Sequence, residues 1–77
     1  MKLTIVSPEN VLYCGEVDRI TVPGTLGQFE VLANHAPIIS SLEAGTLLYK
    51  DSEERSLDIK SGFIEVDHNT VTVCVEV

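Results

Sequence analysis

The segment VTVCVEV, residues 71–77, decides how this chain is read. Val71, Val73, Val75 and Val77 fall on one face of an extended backbone, and Thr72, Cys74 and Glu76 on the other. A repeat of two sorts side chains into inside and outside only on a strand. Outward from it, short runs rich in Val, Ile and Leu recur between Gly, Pro, Asn and Asp, the pattern of strands and turns. Residues 63–66 lead into it through Asp67, His68 and Asn69, while residues 46–50 and 56–60 flank DSEER, an acidic hairpin turn expected to face water. Residues 29–32 and 38–41 lie on either side of the corner formed by Asn34, His35, Ala36 and Pro37, and residues 2–6 alternate before Ser7 and Pro8. A short edge segment at 11–13 precedes a longer run at 14–22, in which Ile20 and Val22 share a face that Val17 does not. That mismatch predicts a bulge near Gly15 or a local twist. Pro23 and Gly24 are expected to stop the strand. About nine or ten strands and no amphipathic helix predict an all-β domain, either two packed sheets or a flattened barrel.

Composition excludes several classes of function. The chain has 77 residues, 12 acidic against 5 basic, for a formal charge of -7. Its basic residues, Lys2, Arg19, Lys50, Arg55 and Lys60, are scattered, which argues against nucleic acid and against acidic membrane surfaces. Apolar residues make up 44% of the sequence, too many for an acidic disordered tail. A core this small does not absorb every apolar side chain, so part of the apolar surface is expected to face a partner. No apolar run approaches the roughly 18 residues of a membrane span, and no signal-like segment opens the chain, so the protein is expected to stay where it is made. Cys14 and Cys74 have apolar neighbours and no C-x-x-C spacing, and both are read as buried thiols.

Little in the sequence could perform chemistry. His35 and His68 stand alone in separate turns, short of the ligand set a metal needs. Ser40, Ser41 and Cys74 lack the context of an activated nucleophile, and Glu53 and Glu54 sit in a turn that points them at water. Gly24 and Gly27 are too few glycines for a phosphate loop and read instead as a turn needing positive φ or close backbone approach. The stretch GQFEVLANHAPIISSL, residues 27–42, is better suited to docking. Pro37 holds Ala36 extended, so the corner arrives rigid and loses little entropy on binding. His35 has two readings: its ring pins the corner to backbone groups, or it touches a partner. Phe29 and Val31 share one face and Leu32 takes the other, so some of these residues belong to the core.

The ordered set of Pro23-Gly24, Gly27-x-Phe29, the Asn34-His35-Ala36-Pro37 run, Leu42-x-x-Gly45 and Ser61-Gly62-Phe63-x-Glu65-Val66 resembles the epsilon subunit of F-type ATP synthase. This is the bacterial and chloroplast form, equivalent to the mitochondrial delta subunit, and the resemblance covers essentially the whole chain. It implies a ten-stranded β-sandwich spanning residues 1–77 as a single rotor-docking domain, with no catalytic site and no cofactor of its own. It also implies a hetero-oligomeric complex in which this domain binds the gamma subunit, rests on the c-ring and helps couple proton translocation to ATP synthesis. Such a complex is peripheral, at the cytoplasmic face of the bacterial inner membrane or the stromal face of the thylakoid, without direct insertion.

Residue by residue, Gly27, Gln28 and Phe29 match the family's lower loop, which meets the polar loops of the c-ring. His35, Ala36, Pro37 and Ile38 match its segment at the foot of the stalk, between gamma and the ring, and Asn34 completes the turn. Three departures stand out. Glu30 replaces a common Gly, and Ala33-Asn34 replace a common Pro-Gly, where Asn tolerates left-handed backbone. The family's C-terminal helical hairpin would begin after Val77, so the reading expects a sandwich without it, and inhibition of ATP hydrolysis is not carried over. Two rival classes fit a small all-β acidic domain: a lipoyl or biotinyl carrier, which would need Lys50 or Lys60 at a hairpin tip, and another small all-β protein-binding module. A sugar-binding module is disfavoured because the chain has no Trp and only four Phe and Tyr residues.

Overall fold

The alternation of the last run is realised in a computed structural model that describes residues 1–77. The strands are β1 (Lys2–Val6), β2 (Val11–Glu16), β3 (Arg19–Gly24), β4 (Gly27–Leu32), β5 (Ile38–Leu42), β6 (Gly45–Lys50), β7 (Glu54–Ile59), β8 (Ser61–Asp67) and β9 (Thr70–Glu76). The resemblance implied ten strands and the structure has nine. What lies between them is spent in tight connections, such as the turn in which the Ser7 N–H donates to the Asn10 carbonyl at 2.8 Å, leaving no backbone for a tenth.

All nine strands belong to one hydrogen-bonded network, in the order β2-β1-β9-β8-β5-β3-β6-β7, with β4 on the other edge of β3. Neighbours are antiparallel except β1 and β9, whose parallel pairing places the first strand beside the last. The network narrows to a single residue pair, Gly24 with Leu42, where β3 meets β5. That joint divides it into a five-stranded half, β2-β1-β9-β8-β5, and a four-stranded half, β4-β3-β6-β7. Both halves feed one core of 15 buried apolar residues, so the sheet has curled over and closed on its own apolar face. Leu3, Ile5, Ile64, Val71 and Val73 come from the first half and Ile20, Val22, Val31 and Leu47 from the second, each fully buried.

Several expectations are corrected by side-chain parity. Val71, Val73 and Val75 point inward as read, but Val77 lies past the end of β9 and is exposed. Cys74 is out of phase with those valines and half-buried on the outer face, and Cys14 is exposed, so neither thiol is a core residue. Pro23 and Gly24 do not stop their strand; they pair with Gln28 and Gly27. The Pro23 carbonyl accepts from the Glu43 N–H, and that edge of β3 lies beyond its ladder with β6, which covers Arg19, Ile20 and Thr21. Proline's missing N–H is therefore not asked for. The strand break falls at Val17 and Asp18, not near Gly15, and the bulge lies where Val6 pairs with Val11, leaving Leu12 without a partner in the ladder.

The acidic turn faces water as expected at Ser52, Glu53, Glu54 and Arg55, but Asp51 is half-buried and bonded in place. The Tyr13 hydroxyl donates to Asp51 Oδ2 at 3.0 Å, Arg55 Nε donates to the same oxygen at 2.8 Å, and the Glu53 N–H donates to Asp51 Oδ1 at 2.9 Å. Tyr13 stacks at a tilt on Tyr49, ring centroids 4.7 Å apart, so the turn is tied to β2 across the sandwich. The Glu53 N–H first, then Arg55 and Tyr13, hold the Asp51 carboxyl below the ordinary carboxylate value. A depressed folded value contributes stability that is present above the unfolded pKa and lost as pH falls through the folded one. Melting temperature is therefore expected to fall as pH drops from about 5 toward 3. Asp51→Asn should lower it at neutral pH and flatten part of that acid slope, as read by thermal melts across the range.

Candidate functional site

The corner is built from two turns. In the first, β3 and β4 are joined through Thr25 and Leu26, with Gly24 opposite Gly27. Gly27 has φ 125°, a backbone shape that favours glycine. Gly24 is needed for space instead, since a Cβ there would lie 2.7 Å from the Gly27 carbonyl oxygen and 2.8 Å from the Phe29 ring. Phe29 folds over that gap and packs half-buried against the core. Leu26 at the tip is fully exposed.

The second turn joins β4 to β5. Asn34 takes φ 66°, the left-handed geometry expected of it. The His35 N–H donates to the Leu32 carbonyl at 3.2 Å, and His35 Nδ1–H donates to the Ala36 carbonyl at 2.7 Å, so the half-buried ring does bond backbone. From outside the corner, Asn69 Oδ1 accepts the Asn34 N–H at 3.0 Å. Ala36 and Pro37 are exposed, Ile38 packs against the core, and Ile39 is 74% exposed.

These turns bring some of the expected site residues together and leave others apart. Gly27, Gln28, Phe29 and Ile38 share a cleft of about 410 Å³ with Leu26 and Ile39. Pro37 and Ile38 also border a shallow cleft on the other side of β5, facing Glu65 and Asp67. Asn34, His35 and Ala36 shape the corner but line neither cleft. The charged residues lining the clefts are all carboxylates. Hydroxyls nearby are already engaged: Thr25 Oγ1 and Ser41 Oγ lie 3.2 Å apart, and Ser40 Oγ donates to the Ser41 carbonyl. Lys50 closes the β6–β7 hairpin opposite Glu54 and is half-buried, and Lys60 sits between β7 and β8, so neither projects from a hairpin tip as a carrier lysine would.

A second surface escaped the sequence reading. On the outer side of the five-stranded half, Val11, Val6, Cys74 and Phe63 stand in one rank, each paired with the next across β2, β1, β9 and β8. Val11 is 66% exposed and Phe63 48%. The signal was present for Phe63, which is out of phase with the buried Ile64 and Val66. The rank itself was not visible, because it rests on pairings between distant strands.

Comparison with known proteins places this geometry in a family. The model of the ATP synthase delta/epsilon chain β-sandwich domain matches residues 1–77. An ATP synthase epsilon chain of Leptospira borgpetersenii is 40% identical over 99% of this chain, which spans 61% of that relative's length. One from Citrifermentans bemidjiense is 43% identical, with 56% of its length spanned, and one from Caulobacter vibrioides 39%, with 90% spanned. A chain of the Tetrahymena thermophila mitochondrial ATP synthase central stalk and c-ring structure superposes with a TM-score of 0.87 at 17% identity, over 99% of this chain and 63% of that one. A chain of the Euglena gracilis mitochondrial enzyme gives 0.89 at 23%, over 95% and 48%. At these identities the two structures speak for the fold alone. The full-length family match and the 40% identity carry the assignment: this chain belongs to the ATP synthase delta/epsilon family and forms its β-sandwich domain.

Proposed function

We propose that the chain is a non-catalytic central-stalk subunit of F-type ATP synthase. In this reading residues 1–77 form a single rotor-docking domain that binds the gamma subunit, rests on the c-ring and couples proton translocation to ATP synthesis. The outer rank of Val11, Val6, Cys74 and Phe63 takes gamma, and the corner from Gly27 to Ile38, with Leu26 at its tip, meets the polar loops of the c-ring. The observation that carries this reading is the apolar surface itself: a member of this family leaves Phe63, Ile39 and Leu26 open to water although its core is complete. Exposed apolar patches on a small acidic domain are what a permanent partner covers. The complex is peripheral, at the cytoplasmic face of a bacterial inner membrane or the stromal face of a thylakoid.

The test is reconstitution. Enzyme stripped of its own epsilon subunit should regain ATP-driven proton pumping when this chain is added. Gln28→Ala, exposed beside the hairpin tip, should weaken that recovery without moving the melting temperature. His35→Ala should lower both, because the ring pins the turn that presents Pro37. A folded chain that leaves pumping uncoupled would overturn the assignment.

A further inference from the structure

We infer that Asn69 is the positioning residue of the docking corner, acting through its side-chain carbonyl on Asn34. This rests on the proposed function for what the corner docks to, but not for the contact itself. His68 and Asn69 form the two-residue turn between β8 and β9, with φ 47° and 61°. Tight hairpins of this kind want positive φ at both positions, and glycine meets that demand with least strain. Asn34, at φ 66°, occupies a third left-handed position. Asparagine tolerates left-handed backbone too, so the backbone shape alone does not account for its side chain at position 69. What asparagine adds at position 69 is a hydrogen-bond acceptor, and that acceptor is used, 3.0 Å from the Asn34 N–H across 35 residues of sequence.

That bond is singular in its place. The other hydrogen bonds of residues 33–37 are local, from the His35 N–H to Leu32 and from His35 Nδ1–H to Ala36. No other hydrogen bond reaches residues 33–37 from outside their own turn. The Asn69 backbone carbonyl meanwhile accepts the Lys2 N–H at 3.1 Å, at the start of β1. β1 carries Val6 in the apolar rank. One residue thus ties the Asn34 turn to the sheet whose outer face is the second docking surface, adding a side-chain brace to the β5–β8 ladder that begins at Ile38. A rigid relation between two contact surfaces reduces the ordering cost of engaging both at once.

Two variants separate the side chain from the turn. Asn69→Gly keeps the left-handed backbone and the Lys2 bond but deletes the acceptor, whereas Asn69→Asp keeps an acceptor. Amide hydrogen exchange on the chain alone should show the Asn34 N–H exchanging about tenfold faster in Asn69→Gly, with the chain still folded and its melting temperature lowered by about 4–10 °C, and protection retained in Asn69→Asp. Affinity for a gamma–c-ring subcomplex should fall roughly 3–10-fold in Asn69→Gly and recover in Asn69→Asp. Unchanged Asn34 exchange in Asn69→Gly would overturn the clamp. Faster exchange with undiminished affinity would overturn its positioning role. If the unaltered chain fails to bind the subcomplex, the docking reading falls, and with it the positioning role, while the exchange result still decides the clamp.

Discussion

With gamma docked as proposed, Phe63→Glu is expected to cost the chain most of its affinity for that subunit while leaving it folded. Phe63 projects from the outer face of β8, 48% exposed, with Cys74 of β9 and Ser41 of β5 as its cross-strand neighbours. Its ring lies outside the core cluster, so replacing it removes little interior packing. Stability should drop by about 1 kcal/mol or less, mostly through lost strand propensity and contacts along the sheet surface. Binding is another matter. If gamma covers the rank of Val11, Val6, Cys74 and Phe63, a carboxylate at position 63 must be stripped of water with no cation beside it on this chain. Burying an unpaired charge costs several kcal/mol, and aromatic anchors at interface centres are worth about 2 kcal/mol or more when truncated. Loss of affinity by a factor of about a thousand or more is expected, since truncation alone accounts for about 30. Phe63→Ala should fall between, and Phe63→Lys should be nearly as harmful as Phe63→Glu if desolvation is the cause. Titrating labelled gamma with each variant, beside a thermal melt, gives both readouts. Full affinity of Phe63→Glu would move the gamma interface off this face.

The path from sequence to fold was direct wherever one strand carried its own signal. The valines of β9 announced their face by alternation, and the same rule correctly separated Phe29 and Val31 from Leu32 on β4. For the cysteines, apolar neighbours point to burial and parity points the other way. Parity had already put Cys74 opposite the valines, and the structure follows parity. Pro23 was misplaced for a different reason. Whether a proline breaks a strand depends on whether its edge is bonded, and that depends on where β6 ends and β5 begins. No local pattern encodes this. The same limit applies to the surfaces. Asn34 was legible as a left-handed turn, but its bond to Asn69 and the rank beside Phe63 arise from β4, β1, β8 and β9 meeting in space. Sequence periodicity reports which side of its own strand a residue takes. It does not report which strand lies alongside.

Gly24→Ala should be more damaging than Gly27→Ala, although Gly27 has the glycine-like backbone. At Gly27, φ 125° makes any side chain strained, but no atom lies within 4 Å of where a Cβ would sit. The cost there is local strain, about 1–2 kcal/mol. Gly24 is buried and its Cβ would meet the Gly27 carbonyl oxygen at 2.7 Å and two ring carbons of Phe29 at 2.8 and 2.9 Å. A carbonyl in a two-residue hairpin cannot retreat without opening the turn, and the ring cannot retreat without leaving the core it packs on. Gly24 is also the one residue of β3 paired with β5, so any displacement is felt at the joint between the two halves of the sheet. Overpacking of this kind costs about 2–3 kcal/mol. In a domain of this size each kcal/mol moves the melting temperature by about 4–8 °C, so a fall of roughly 8–24 °C is expected. The two obstacles can be separated with a double-mutant cycle. Removing the ring in Phe29→Ala should recover part of the Gly24→Ala penalty, and the part not recovered belongs to the Gly27 carbonyl. A Gly24→Ala chain that melts within a degree or two of the parent would mean that the hairpin tip yields easily, and that the corner's geometry is held by the Asn34–His35 turn instead.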